Sequence, residues 1–347
     1  VGWAAKLLVM AGSLALLFVA AEAVSALFLP APVVWRYPQE AYLYDPGLLH
    51  RLEPNQRAFT HAHPVVTNSY GLRDDEFPLR PAPGRVRVLC LGDSLTFGKG
   101  VALPDTYPKQ LETLLNGSGE RRYEVINAGV SAYDTWQEVK YLGEQGWTFE
   151  PDLVIVGFYA NDIVPRPRSS VAGADPGDGP RAVMRSRADR AIYWLKGSRI
   201  LLLLRERAGQ LWNRIRPSAE MRHKTSLLHG TPDPLVEAGW REVESSLAEL
   251  AALAARHRFD VLVVFFPMAD QLLADYPNAS YPARAQAIAA RHGLPAIDLR
   301  PAFAREFSGF GSLFIQWDGH PNPRAFAIAA REIGNHVVSA QAKHAVR

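Results

Sequence analysis

An apolar, β-branched run over residues 86–91 ends abruptly at Gly92-Asp93-Ser94. The run reads as a buried strand, and the glycine and aspartate as the turn that ends it. The same switch from apolar run to polar punctuation recurs downstream, with helical periodicity between. Strands are predicted at 86–91, 123–127, 153–159, 260–266 and 295–299. Helices are predicted at 106–116, 134–146, 234–257, 283–292 and 323–340. This alternation predicts a five-stranded parallel sheet with helices on both faces, joined by right-handed crossovers. The expected class is α/β, in three α/β/α layers. In open sheets of this kind ligands bind at the carboxyl ends of the strands, where Ser94 falls.

A serine in that position is a candidate nucleophile, provided the chain also supplies a base, an orienting group and oxyanion donors. The base candidate is His320, in the segment Trp317-Asp318-Gly319-His320-Pro321-Asn322. Asp318, two residues earlier, is placed to orient the imidazole if the loop bends. Two further apolar runs end in polar residues, one at Gly129 and one at Asn161-Asp162. A glycine N–H and an asparagine amide both suit an oxyanion hole. A nucleotide site is the rival for the glycine-rich turn. Five residues separate Gly92 from Gly98, however, and Gly100 rather than Ser or Thr follows Lys99. A phosphate-binding loop needs four residues and then Ser or Thr. The bland role for Ser94, a helix cap without chemistry, loses ground to the ordered series Ser94, Gly129, Asn161 and His320.

On these four blocks the chain resembles the SGNH, or GDSL-type, hydrolase superfamily, over about residues 86–340. The resemblance implies a flavodoxin-like SGNH fold and an acyl-enzyme mechanism without metal or organic cofactor. It casts Ser94 as nucleophile, His320 as base and Asp318 as orienter. The oxyanion hole falls to the Ser94 N–H, Gly129 and Asn161. Two departures stand out. Tyr159 occupies the place of the usual glycine in Gly-x-Asn-Asp, and the last block is Asp-x-His rather than Asp-x-x-His. The shorter form is similar to that of exported, membrane-anchored, polysaccharide-modifying members. The implied substrate is a short acyl ester, such as acetyl, of an exported glycan, cleaved or transferred. A lipase or lysophospholipase-type esterase, and a non-catalytic glycan-assembly protein retaining the fold, are the alternatives.

The N-terminus carries a second signal. Residues 7–29 are apolar or small except for Glu22, with Lys6 before them. About 20 such residues suffice to span a bilayer core. Residues 1–30 are therefore expected to be a transmembrane anchor or a signal peptide. Small-residue cleavage regions occur at Ala21-Glu22-Ala23 and Ser25-Ala26. Apolar residues continue past Glu22 to Leu29, which favours the anchor over both cleavage and a buried core helix. Either export reading puts the remaining chain outside the cytoplasm, periplasmic or extracellular. The single cysteine, Cys90, excludes an intrachain disulfide and reads as a core residue. A hydrophobic content of 48% with 21% charged residues is that of a globular chain. A net charge of +3 gives no reason to expect a nucleic-acid partner. No feature of the sequence sets an oligomeric state.

Residues 31–85 are expected to be an extension that packs on the hydrolase domain, 86–347, as a hairpin over a sheet edge or as a wall of the cleft. The extension contains Asn68-Ser69-Tyr70-Gly71-Leu72-Arg73-Asp74. His61 and His63 lack the partners a metal site requires. The insertion 165–234 interrupts the strand–helix rhythm with fourteen Arg and Lys against six Asp and Glu. Its apolar run 200–204, with Trp194 and Trp212, allows three readings: a helix packed on the core, a lid, or a helix on the membrane surface.

Overall fold

The computed structural model describes residues 2–117, 122–164, 197–273 and 280–345. The chain divides into two compact units. The larger spans Trp35–Ala182, Ala219–Ile315 and Gly319–Arg347, and the smaller Val1–Val34, Val183–Ser218 and Gln316–Asp318.

The larger unit begins with two antiparallel hairpins, β1 (Tyr42–Asp45) with β2 (Leu49–Leu52), and β3 (Arg57–Thr60) with β4 (His63–Val66). Five parallel strands follow: β5 (Arg85–Gly92), β6 (Arg122–Gly129), β7 (Leu153–Phe158), β8 (Asp260–Phe265) and β9 (Ala296–Asp298). Their order is β6-β5-β7-β8-β9, the flavodoxin-like arrangement with the first strand inside the sheet. The chain reverses its direction of travel across the sheet beside β5, and ligands bind at such a switch point.

Strand alternation sends successive side chains to opposite faces. Leu89, Leu91, Val154, Val156, Val261 and Val263 enter one core, and Val88, Cys90, Ile155, Leu262 and Val264 the other. The first core is covered by α4 (Thr135–Glu144), α7 (Pro234–His257) and α8 (Ser280–Arg291). The second is covered by α3 (Tyr107–Gly117) and α9 (Pro323–Ala345). The predicted three layers are therefore present, with boundaries shifted by a few residues. β7 stops at Phe158 because the Tyr159 N–H turns to Asp162 Oδ2, at 2.7 Å. Cys90 is fully buried, and burial pushes its thiol pKa up.

The extension packs Leu48, Leu52, Ala58, Val65, Leu72 and Phe77 into the first core. Its Asn68 forms the turn that aims the next charged pair, Oδ1 accepting from the N–H groups of Tyr70 and Leu72, both at 3.0 Å. Asp74 then takes the N–H of Asn127 on the edge strand β6 at 2.7 Å, and Lys109 at 2.8 Å. A loop carboxylate, not a hairpin strand, thus caps this part of the sheet edge.

In the smaller unit, α1 (Trp3–Ser25) has no buried residue and is long and apolar enough to cross a membrane. It pairs with α5 (Arg199–Ile215). Glu22 of α1 caps that helix. Its carboxylate accepts from Ser198 Oγ at 2.8 Å and from the N–H groups of Arg199 and Ile200 at 2.8 and 3.3 Å. The insertion continues with α6 (Ala219–His229), in the larger unit. Arg166, Arg168, Arg181, Arg185, Arg187, Arg190, Trp194 and Lys196 lie outside the described residues.

Candidate active site

Ser94 opens α2 (Ser94–Phe97), one turn of helix directly after β5. Asp93 caps it, Oδ1 accepting from the Leu95 N–H at 2.8 Å. Three glycines let the turn lie close on the sheet. Gly92 pairs in register with Gly129 of β6 and Gly157 of β7. A Cβ on Gly129 would stand 2.1 Å from the Phe97 backbone nitrogen, and one on Gly157 would stand 2.6 Å from Thr96 Oγ1. From the far side, the buried Arg73 guanidinium donates to the carbonyls of Phe97, Gly98 and Val101 at 2.8, 2.7 and 2.7 Å. Lys99 is ion-paired with the buried Glu40 of the extension, so this lysine is already committed.

The histidine arrives on a closed loop. The Ile315 N–H donates to the His320 carbonyl at 2.8 Å, and the Gly319 N–H to the Ile315 carbonyl at 2.9 Å. Trp317 and Gly319 take positive φ values, 67° and 96°, to make the bend. Beyond it, Asn322 Oδ1 accepts from the Ala325 N–H at 3.1 Å, capping α9 with Pro323 in its first turn. The outcome is a 3.0 Å contact between His320 Nε2 and Ser94 Oγ, across 226 residues of sequence. Asp318 lies within this bend, two residues before the imidazole it was expected to orient.

Asn161 sits on the 3-10 turn Ala160–Asp162 that follows β7. Its Nδ2 donates to Asp93 Oδ2 at 2.7 Å. The carboxylate fixes which way the amide faces, since the amide oxygen would be repelled there. One Nδ2 hydrogen is left available. Tyr159 has φ −134°, extended backbone open to any side chain, so no glycine is needed at that place in the block.

Gly129 is arranged differently from the expectation. Its N–H donates to Asn127 Oδ1 at 3.0 Å, so this donor is already engaged. The glycine is required for contact with α2. The residue that sequence reasoning missed is Ala132, three positions on, with φ +69°. Left-handed backbone is costly for alanine. Among the described residues the N–H groups of Ala132 and Ser94 have no acceptor.

A model of the GDSL-like lipase/acylhydrolase family matches residues 90–328, most of the chain. The chain belongs to this family. As a GDSL-like acylhydrolase it is 37% identical over 95 residues to an acetylxylan esterase of Xylanibacter ruminicola, a match covering 24% of this chain and only 19% of that relative. Among solved structures it is similar to the acetyl xylan esterase AlAXEase, with 16% identity, 73% of this chain and 100% of that one covered, and a TM-score of 0.44. A GDSL-like lipase of Bacteroides thetaiotaomicron gives 16% identity, 75% and 91% coverage, and a TM-score of 0.39.

Beside the site this acylhydrolase buries acids. Glu138 is 1% exposed, and among the described residues neither of its carboxylate oxygens has a hydrogen-bond partner. Burial, then the charges of Asp162, Asp93 and Asp134, raise its pKa well above the ordinary value. Asp162 is raised by burial too. Of six aromatics near the motifs in sequence, Phe97, Tyr133 and Phe158 are core residues, while Trp136, Tyr159 and Trp317 are partly exposed.

Proposed function

We propose that the chain is a serine esterase acting on short acyl esters, acetyl esters above all, of a polysaccharide outside the cytoplasm. The observation that carries the reading is the 3.0 Å approach of His320 Nε2 to Ser94 Oγ at the switch point of the sheet. His320 takes the hydroxyl proton as Ser94 Oγ bonds to the ester carbonyl carbon. The carbonyl oxygen becomes an oxyanion. Its donors are the Ser94 N–H, the free Asn161 Nδ2 hydrogen and, in place of Gly129, the Ala132 N–H. As the tetrahedral centre collapses, the ester C–O bond breaks and His320 returns its proton to the leaving alkoxide. Water, or an acceptor hydroxyl in a transfer reaction, then attacks the acyl-enzyme as His320 takes its proton; the acyl–Ser94 Oγ bond breaks and His320 returns the proton to Ser94. Asp318 is assigned to orient His320 and balance its charge.

The acetyl and glycan assignments rest on the stretch shared with an acetylxylan esterase. Retention of α1 as an anchor is supported by Glu22. Cleavage at or beyond Ala23 would remove the residue that caps α5. A chain-length series of p-nitrophenyl esters tests the substrate reading, with Ser94→Ala as control. Acetate should be turned over faster than esters of eight or more carbons. Faster turnover of the long esters would replace the glycan assignment with a lipid one.

A further inference from the structure

We propose that α5 is an interfacial helix that rests on the membrane surface and contacts anionic lipid headgroups; this rests on the reading of α1 as a retained anchor. From Leu204 to Arg216 every residue but Asn213 is exposed. On a helical projection Leu204, Ala208, Leu211, Trp212 and Ile215 share one arc of about 100°. The four larger side chains are 57%, 60%, 62% and 72% exposed, although they are apolar and aligned. Arg205 and Arg216 border the arc on one side, and Arg207 and Arg214 on the other. Glu206, Gln210 and Asn213 lie opposite. Arginines flanking an apolar stripe can reach headgroups while their stems cover the acyl boundary. A tryptophan at the stripe's margin suits the same depth.

What identifies the bilayer as the occupant is the join to α1. A helix of 23 residues is about 34 Å long, against a hydrocarbon core of about 30 Å. Glu22 lies three residues from its end, hence at the bilayer surface. That carboxylate holds the first turn of α5. The helix therefore starts at headgroup level, with the N–H groups of its first two residues held by the Glu22 carboxylate. A cationic border beside a tethered apolar stripe is complementary to an anionic leaflet.

The test uses the full chain in vesicles of phosphatidylcholine, with or without phosphatidylglycerol, containing lipids brominated near the headgroup to quench tryptophan on contact. The parent is compared with Trp212→Phe, a substitution at an exposed position. The expected result is quenching of the parent and loss of that share in Trp212→Phe. The combined variant R205Q/R207Q/R214Q/R216Q should lose the extra quenching that phosphatidylglycerol gives, with p-nitrophenyl acetate turnover unchanged. Equal quenching of parent and Trp212→Phe, in a chain that carbonate washing leaves in the membrane, overturns the proposal and leaves the anchor standing. So does efficient cross-linking of Leu211→Cys chains, which assigns the stripe to a second copy. Release of the chain by carbonate overturns the anchor and this proposal together.

Discussion

Asn161 Nδ2 donates to Asp93 Oδ2 at 2.7 Å, so the residue just before the proposed nucleophile, Ser94, holds the amide assigned to the oxyanion. The same Asp93 caps the helical turn of Ser94 through the Leu95 N–H. One carboxylate therefore holds both the turn of Ser94 and the amide of Asn161. Asn161→Ala should lower kcat roughly 100- to 1,000-fold, the usual loss for one such donor. Asp93→Ala should lower kcat more than it raises KM, and cost about 1 kcal/mol of stability through the lost cap. Steady-state kinetics with a denaturation midpoint measures both. An Asp93→Ala enzyme with normal kcat would detach Asp93 from the site.

Arg73 ties the extension to the helical turn that carries Ser94. It is buried and donates to three carbonyls around the end of α2. Arg73→Ala should destabilise the chain by about 3 kcal/mol or more, because hydrogen bonds from a charged donor are worth about 1.5–3 kcal/mol each and the carbonyls stay buried. Arg73→Lys should recover only part of this, since an ammonium cannot reproduce the planar fork. Urea midpoints at constant slope provide the comparison.

Gly129 and Ala132 should respond oppositely. Gly129→Ala places a methyl 2.1 Å from the Phe97 nitrogen, which must displace the turn carrying Ser94, and activity should be lost with stability. Ala132→Gly removes the cost of a left-handed alanine and should add about 1 kcal/mol, with turnover preserved. Thermal unfolding and p-nitrophenyl acetate turnover of the two variants decide the matter.

The layers were legible because each sheet strand is a short apolar run ended by polar residues, and because 86–91 and its successors alternate with helical stretches. Ser94 and Asn161 stood out for a related reason, as polar residues at the ends of such runs, and His320 by the polar segment around it; the structure brings Ser94 and His320 to 3.0 Å. Gly129 was legible as the glycine that ends an apolar run but not in its role. A glycine needed for close packing and a glycine that offers an N–H look alike in sequence. Ala132 could not be found, since nothing in an alanine announces a positive φ. Arg73 and Glu22 were visible only as a motif member and as a flaw in an apolar run. Their partners, Phe97 and Ser198, lie 24 and 176 residues away, beyond any local pattern.

Glu138 gives the pH dependence of stability a definite sign. Its folded pKa lies well above the ordinary 4.5. Between those two values the unfolded chain has released a proton that the native chain keeps, so stability falls as pH rises through that window. Glu138→Gln has no proton to keep. It should gain little over the parent in mildly acidic buffer and progressively more toward alkaline pH. Urea midpoints at both ends of the range measure this, and a constant difference between the two chains would mean that Glu138 does not titrate in that window.

The central claim is that Ser94 is a nucleophile activated by His320. Intact-mass analysis of the full chain after exposure to a fluorophosphonate tests it most directly. The account predicts one adduct on the parent chain at Ser94, none on Ser94→Ala, and greatly slowed labelling of His320→Ala, while both variants keep the parent's unfolding free energy within about 1 kcal/mol. Equal labelling of the parent and Ser94→Ala, or no labelling of a parent chain that is folded, would contradict it.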